Sequence, residues 1–165
     1  MMAHDAVTRF WRQQAGRTAI KLLGLPYAPQ EDDAGCGPAC LQMLTTHYRL
    51  PPRSWRLGRR RRYSGTSFPA LIRLVRDTGL VPVLPPRRIK ARRLGQALAL
   101  IDQGVPVIMA FADAGTETTS HYAVLVGYSA TELFFHDPFL RPFFPRNRRA
   151  FIKKWERENR WFVGV

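Results

Sequence analysis

The chain has 165 residues, enough for one domain with a full core, and 45% of them are hydrophobic. Its 26 Lys and Arg against 12 Asp and Glu leave a net charge of +14, which draws polyanions to the surface without specifying one. No run approaches the roughly 20 apolar residues of a membrane span, arginines break the stretch where a signal peptide needs its apolar centre, and two cysteines four residues apart are no disulfide framework. The expected compartment is therefore the cytoplasm, with a basic surface able to lie against the inner face of the membrane.

Residues 1–24 carry Val7, Phe10, Trp11, Ala15, Ile20, Leu22 and Leu23 among basic residues, at spacings that suit a short basic amphipathic helix. Gly24 and Pro26 end it, so 1–24 is set apart as an N-terminal extension and 25–165 as the domain proper. The prolines at 26 and 29 make 25–30 extended.

Residues 30–48 form the stretch on which the chain is organised: a polar loop, Gln30 to Gly35, then a helix from Cys36. Gly35 and Gly37 flank Cys36 and let the backbone bend there. Pro38 suits a first helical turn. Ala39, Cys40, Leu41, Met43 and Leu44 make that helix largely buried. A thiol at a helix N-terminus feels the positive end of the macrodipole, which favours the nucleophilic thiolate. Cys40, one turn further in, reads as core.

Residues 51–64 open on two prolines and hold Arg53, Arg56 and Arg59 to Arg62, a solvated arginine-rich loop or short irregular helix. With the second basic cluster, Arg87 to Arg93, it predicts non-specific affinity for anions. No nucleic-acid module signature accompanies either cluster, so nucleic acid is not the expected partner. Ser67 caps a helix over 68–78 with Pro69 in its first turn, and Gly79 stops it. Residues 80–84 read as a short strand, 94–103 as a helix, 105–111 as a strand and 113–120 as a polar loop. His121 to Tyr128 and Leu133 to His136 read as an antiparallel hairpin. Residues 139–149 read as a loop rich in Pro and Arg, 150–159 as a helix and 161–165 as a closing strand. Helices early and strands late favour an α+β fold.

A nucleophilic cysteine needs a base, and the base needs a group to hold its ring. His4 lies in the N-terminal extension. His47 is about 16 Å along the helix from Cys36. In the hairpin, His121 and the 136–137 end fall together, so Asp137 can accept from one ring nitrogen of His121 and leave the other for Cys36. His136 alternates to the opposite face and takes a structural role. No pair of cysteines or histidines has metal-ligand spacing, and no glycine loop cradles phosphate, so neither metal nor cofactor is expected.

The combination Gln30-x5-Cys36-Gly-Pro-Ala-Cys-Leu, Gly65-Thr-Ser, His121-Tyr-Ala-Val-Leu-Val-Gly-Tyr and His136-Asp137-Pro-Phe resembles the bacteriocin-processing, double-glycine leader peptidase family. The likeness runs from about Leu25 to the C-terminus. It implies a papain-like α+β cysteine peptidase fold, with N-terminal helices on a C-terminal antiparallel sheet. It also implies roles: Cys36 as nucleophile, His121 as base and acid, Asp137 to orient the imidazolium, and the Gln30 amide with the Cys36 backbone N–H to hold the oxyanion. The implied substrate is a peptide cut after a Gly-Gly pair in a leader, and the implied partner is a peptide exporter, here a separate chain. Gly35 stands where the family often has an acidic residue. Two other readings stay open on the residues alone: acyl transfer or deamidation on the same Cys-His-Asp site, and a peptide- or polyanion-binding domain without catalysis.

Overall fold

The computed structural model describes residues 2–51, 65–112 and 120–165. Residues 52–64 of the first arginine-rich stretch and 113–119 of the predicted polar loop lie outside the described residues. The α-helices are α1 (Met2–Gly16), α2 (Cys36–His47), α3 (Phe68–Asp77), α4 (Leu94–Asp102) and α5 (Arg148–Glu156). The strands are β1 (Lys21–Leu22), β2 (Val107–Ala112), β3 (Ser120–Tyr128), β4 (Glu132–His136), β5 (Phe144–Asn147) and β6 (Phe162–Gly164).

The sheet is antiparallel, in the order β5-β4-β3-β2-β6, with β1 added beside β3. β3 is the central strand, and it is buried without a break from Tyr122 to Gly127. That is why its sequence is a continuous apolar run and not an alternating one: both faces are covered. α2 and α4 pack against β3, and α5 packs against β2. Phe111, Phe135, Phe151 and Trp155 stack into one aromatic core under α5. Helices precede most of the sheet in the chain, and the α+β expectation holds.

Three local readings are corrected. Residues 80–84 are extended but do not form a strand, because only Val83 bridges, to Gly164. Within the predicted 139–149 loop, Phe144–Asn147 pairs with β4 as an edge strand; Pro145 is tolerated because an edge strand has one side free of ladder bonds. The helix of the N-terminal extension stops at Gly16, and Lys21–Leu22 pairs with Tyr128 and Gly127 inside the boundary drawn at residue 24. Gly127 makes that pairing possible, since a Cβ there would run into the carbonyl oxygen of Lys21.

Candidate active site

The site is assembled from α2, the turn after β4 and the start of β3. α2 begins at Cys36, with Gly35 as its N-cap and no side chain capping it. The first-turn N–H groups of a helix have no intrahelical acceptor, so this end presents donors and the positive pole of the dipole to the Cys36 sulfur. The helix start is wedged by Thr66: a Cβ on Gly37 would stand 2.7 Å from Thr66 Oγ1 and 2.9 Å from its Cβ. Thr66 is fixed in turn, because the Tyr122 hydroxyl donates to its carbonyl at 2.8 Å. Ser67 then caps α3 by accepting from the Ala70 N–H.

His121 enters from the start of β3, opposite Phe111 of β2 and edge-on to that ring. Because Val124 is paired with His136, β4 ends level with the middle of β3, and the chain beyond it carries Asp137 to His121 at the start of that strand. His121 Nε2 lies 2.9 Å from Asp137 Oδ1. Cys36 is near enough to the same ring to act on its charge, and it helps raise the His121 pKa. With Nε2 on the carboxylate, Nδ1 is the nitrogen left for sulfur. The structure thus brings the sequence-predicted His121 and Asp137 into direct contact, with Cys36 electrostatically coupled to the same ring.

Asp137 is fully buried and strongly held. Oδ1 also accepts from the backbone N–H groups of Phe139 and Leu140, and Oδ2 accepts from Arg146 Nη2 at 2.7 Å. Burial by itself would raise the carboxyl pKa, but the hydrogen bonds and charges of His121 and Arg146 outweigh it and lower it. For His121, burial pulls the pKa down, and the hydrogen bonds to Asp137 and Cys36 override that and raise it to about 9. Cys40 is fully buried, and burial pushes its thiol well up, with Cys36 and Asp137 adding to the effect.

The loop before α2 is sewn to the loop after β4. The His136 ring is hydrogen-bonded through Nε2 to the Leu25 carbonyl, the Tyr27 hydroxyl donates to the Asp137 carbonyl, and the Gln30 N–H donates to the Pro138 carbonyl. This seam is the reason residues distant in sequence become neighbours. The Gln30 amide donates from Nε2 to the Asp32 carbonyl at 2.8 Å, and its Oε1 is buried with no hydrogen-bond partner among the described residues. Its side chain lies along Gly35, 3.3 Å from where a Cβ of that residue would stand. An amide carries two N–H groups, and the bond to Asp32 uses one of them.

His136 is wholly buried on the other side of the strand, with Nδ1 accepting from the Phe143 N–H. Burial drops its pKa to about 4. His47 ends α2 beside Tyr48, away from the thiol. Sequence reading named Thr66 only within a motif and gave no role to Tyr27, Thr66 or Arg146. The Tyr27 and Thr66 contacts span 110 and 56 residues, and no local pattern announces them. Among the described residues no three His, Cys, Asp or Glu gather as a metal site, and no helix is long and apolar enough to cross a membrane.

The Peptidase_C39 like family model matches residues 86–161, and no curated protein matches the chain in sequence. The fold is similar to that of C39 papain-like peptidase domains. A putative C39-like peptidase from Bacillus anthracis superposes with a TM-score of 0.65 at 14% identity, over 87% of this chain and 96% of that one. The peptidase domain of Streptococcus ComA, a bifunctional ABC transporter of a quorum-sensing pathway, gives 0.63 at 19% identity, over 88% and 96%. A double glycine motif protease from an AMS/PCAT transporter, solved with its leader peptide, gives 0.62 at 16%, over 90% and 94%.

Proposed function

We propose that this protein is a cysteine peptidase that cuts a peptide bond through a thioester on Cys36. One observation carries the reading: the buried Asp137 carboxylate holds the His121 ring at 2.9 Å, and Cys36, at the uncapped start of α2, acts on the charge of that same ring. Asp137 holds the ring through Nε2 and stabilises the imidazolium, and the raised His121 pKa keeps that proton on the ring near neutral pH. The Cys36 sulfur attacks the scissile carbonyl carbon. The oxygen takes the charge between the Cys36 N–H and the free N–H of the Gln30 amide. As the C–N bond breaks, His121 gives its proton to the leaving amine. Water then adds to the thioester, His121 takes a proton from it, the C–S bond breaks and the acid product leaves.

For substrate we take a leader peptide cut after Gly-Gly, since a double glycine motif protease with a leader peptide is among the similar structures. The partner is a peptide exporter, and the enzyme works on the cytoplasmic face of the membrane. Incubation with Gly-Gly leader peptides and product mass analysis test both levels. Cleavage after the pair, lost in Cys36→Ala and His121→Ala, is expected. A peptide left whole but shifted in mass on a glutamine would make the chain a deamidase instead. Rapid alkylation of Cys36 well below pH 8.5, the free-thiol value, and its loss in His121→Ala, would show the charge pair without any substrate. An ordinary thiol profile in the wild type would overturn the catalytic reading.

A further inference from the structure

We propose that Arg146 is a positioning residue of this site, which shares the charge of Asp137 and thereby sets how tightly His121 holds its proton. The inference rests on the Cys36–His121–Asp137 reading above. Asp137 Oδ1 is already served by His121 and two backbone N–H groups, while among the described residues the donor on Oδ2 is Arg146. The carboxylate is thus stretched between two cations, one that must keep its proton and one that must release it.

The setting of Arg146 argues for tuning over anchoring. Its side chain is 11% exposed, and its guanidinium carbon lies 4.6 Å from the Phe111 ring centre and 5.1 Å from that of Phe144. Its Nε is buried without a hydrogen-bond partner among the described residues. A buried ion pair with an unsatisfied donor is a poor source of stability, because desolvation offsets the attraction. Phe111 also faces His121, so one aromatic ring packs against the base and against the cation that moderates it. The charged and titratable groups acting on His121 are Asp137 and Cys36, and those coupled to Asp137 include Arg146 from β5, Cys40 from α2 and Tyr27 from the seam. Among the described residues, Arg146 is the one permanent cation paired with the carboxylate. An imidazolium paired with an unshared carboxylate would be a weak acid toward the leaving amine.

Arg146→Gln keeps a donor and removes the charge, while Arg146→Lys keeps the charge. The imidazole of His121 is titrated by NMR in labelled protein, its signal assigned by loss in His121→Asn. In Arg146→Gln the His121 pKa is expected to rise by roughly one unit; in Arg146→Lys it stays near the wild-type value. On a cleaved peptide, Arg146→Gln is expected to lower kcat and leave KM nearly unchanged. A folded Arg146→Gln whose His121 titration is unmoved or falls overturns the proposal. Should that variant not fold, Arg146→Met, which suits the space between the two rings, carries the same expectation. If neither neutral variant folds, Arg146 is a structural residue and the proposal fails. The titration needs no turnover, so it separates two failures. A wild-type His121 near its ordinary value sinks the site and this inference with it, whereas a raised wild-type value with no change in Arg146→Gln sinks the inference alone.

Discussion

His121 and His136 sit on adjacent strands of the hairpin and titrate in opposite directions, which gives the molecule a stability optimum. The folded pKa of His121 is raised to about 9, so its contribution is complete below about 6.5 and is lost as pH rises through about 9. The folded pKa of His136 is lowered to about 4, so the unfolded chain binds the extra proton between about 4 and 6.5 and stability falls as pH drops through that window. Asp137 adds to the acid side, because its lowered pKa gives stability that is lost as the carboxyl is finally protonated. The thermal midpoint should therefore peak near pH 6.5. His121→Asn should flatten the alkaline slope and leave the acid slope in place, which a series of melts from pH 4 to 10 would check; equal slopes in both proteins would disprove the assignment. At this scale the sequence was informative where chemistry is rare. With four histidines and two cysteines, the hairpin register was enough to predict that His121 and Asp137 would meet. Arg146 was illegible, because Arg141, Arg148 and Arg149 surround it and nothing local says which one turns inward.

Among the elements, α2 is the one whose placement the chemistry needs most, and Gly37 is where it is most exposed to change. Alanine is the better helix former by about 1 kcal/mol, so Gly37→Ala would be stabilising on propensity alone. Its Cβ, however, would stand 2.7 Å from Thr66 Oγ1 and 2.9 Å from Thr66 Cβ, and the backbone of Thr66 is held by Tyr122. Overpacking of this kind costs about 1–3 kcal/mol. The clash wins: Gly37→Ala should lower the thermal midpoint by a few degrees and slow Cys36 alkylation, with Thr66→Ala in the same chain recovering part of both. The seam offers a milder test. Tyr27→Phe removes the hydroxyl donor from the Asp137 carbonyl, which should cost about 1 kcal/mol in a denaturant melt. Helices were legible because their caps and apolar faces are local, as Ser67, Pro69 and Gly79 show for α3. β1 and β5 were not, since two- and four-residue edge strands exist only by virtue of the neighbour they pair with.

On the scale of the whole molecule, the question is whether α1 belongs to the working unit. The sequence resemblance begins near Leu25, and the amphipathic pattern before it named a helix without naming what it rests on. Ala15 is buried, and Trp11 is covered by the Arg141 guanidinium at 3.5 Å from the ring centre. Arg141 is in the loop after β4, and its carbonyl accepts from the Asp137 N–H. The helix thus presses on the far side of the turn that carries Asp137, while Val7 and Phe10 remain about half exposed. A cation over a partly buried indole, together with the apolar packing of that ring, is worth about 1–2 kcal/mol. In a chain of this size that is a shift of roughly 2–8 °C. Trp11→Ala should therefore melt a few degrees below the wild type. Yet the hydrogen bonds from His121 and Arg146 to Asp137 do not pass through Trp11, so Cys36 alkylation at ordinary temperature should be nearly unchanged. If the melt is unmoved, α1 is not held by this cation and ring. If alkylation collapses while the fold survives, the extension is part of the site's support, and the domain starts at α1 and not at Leu25.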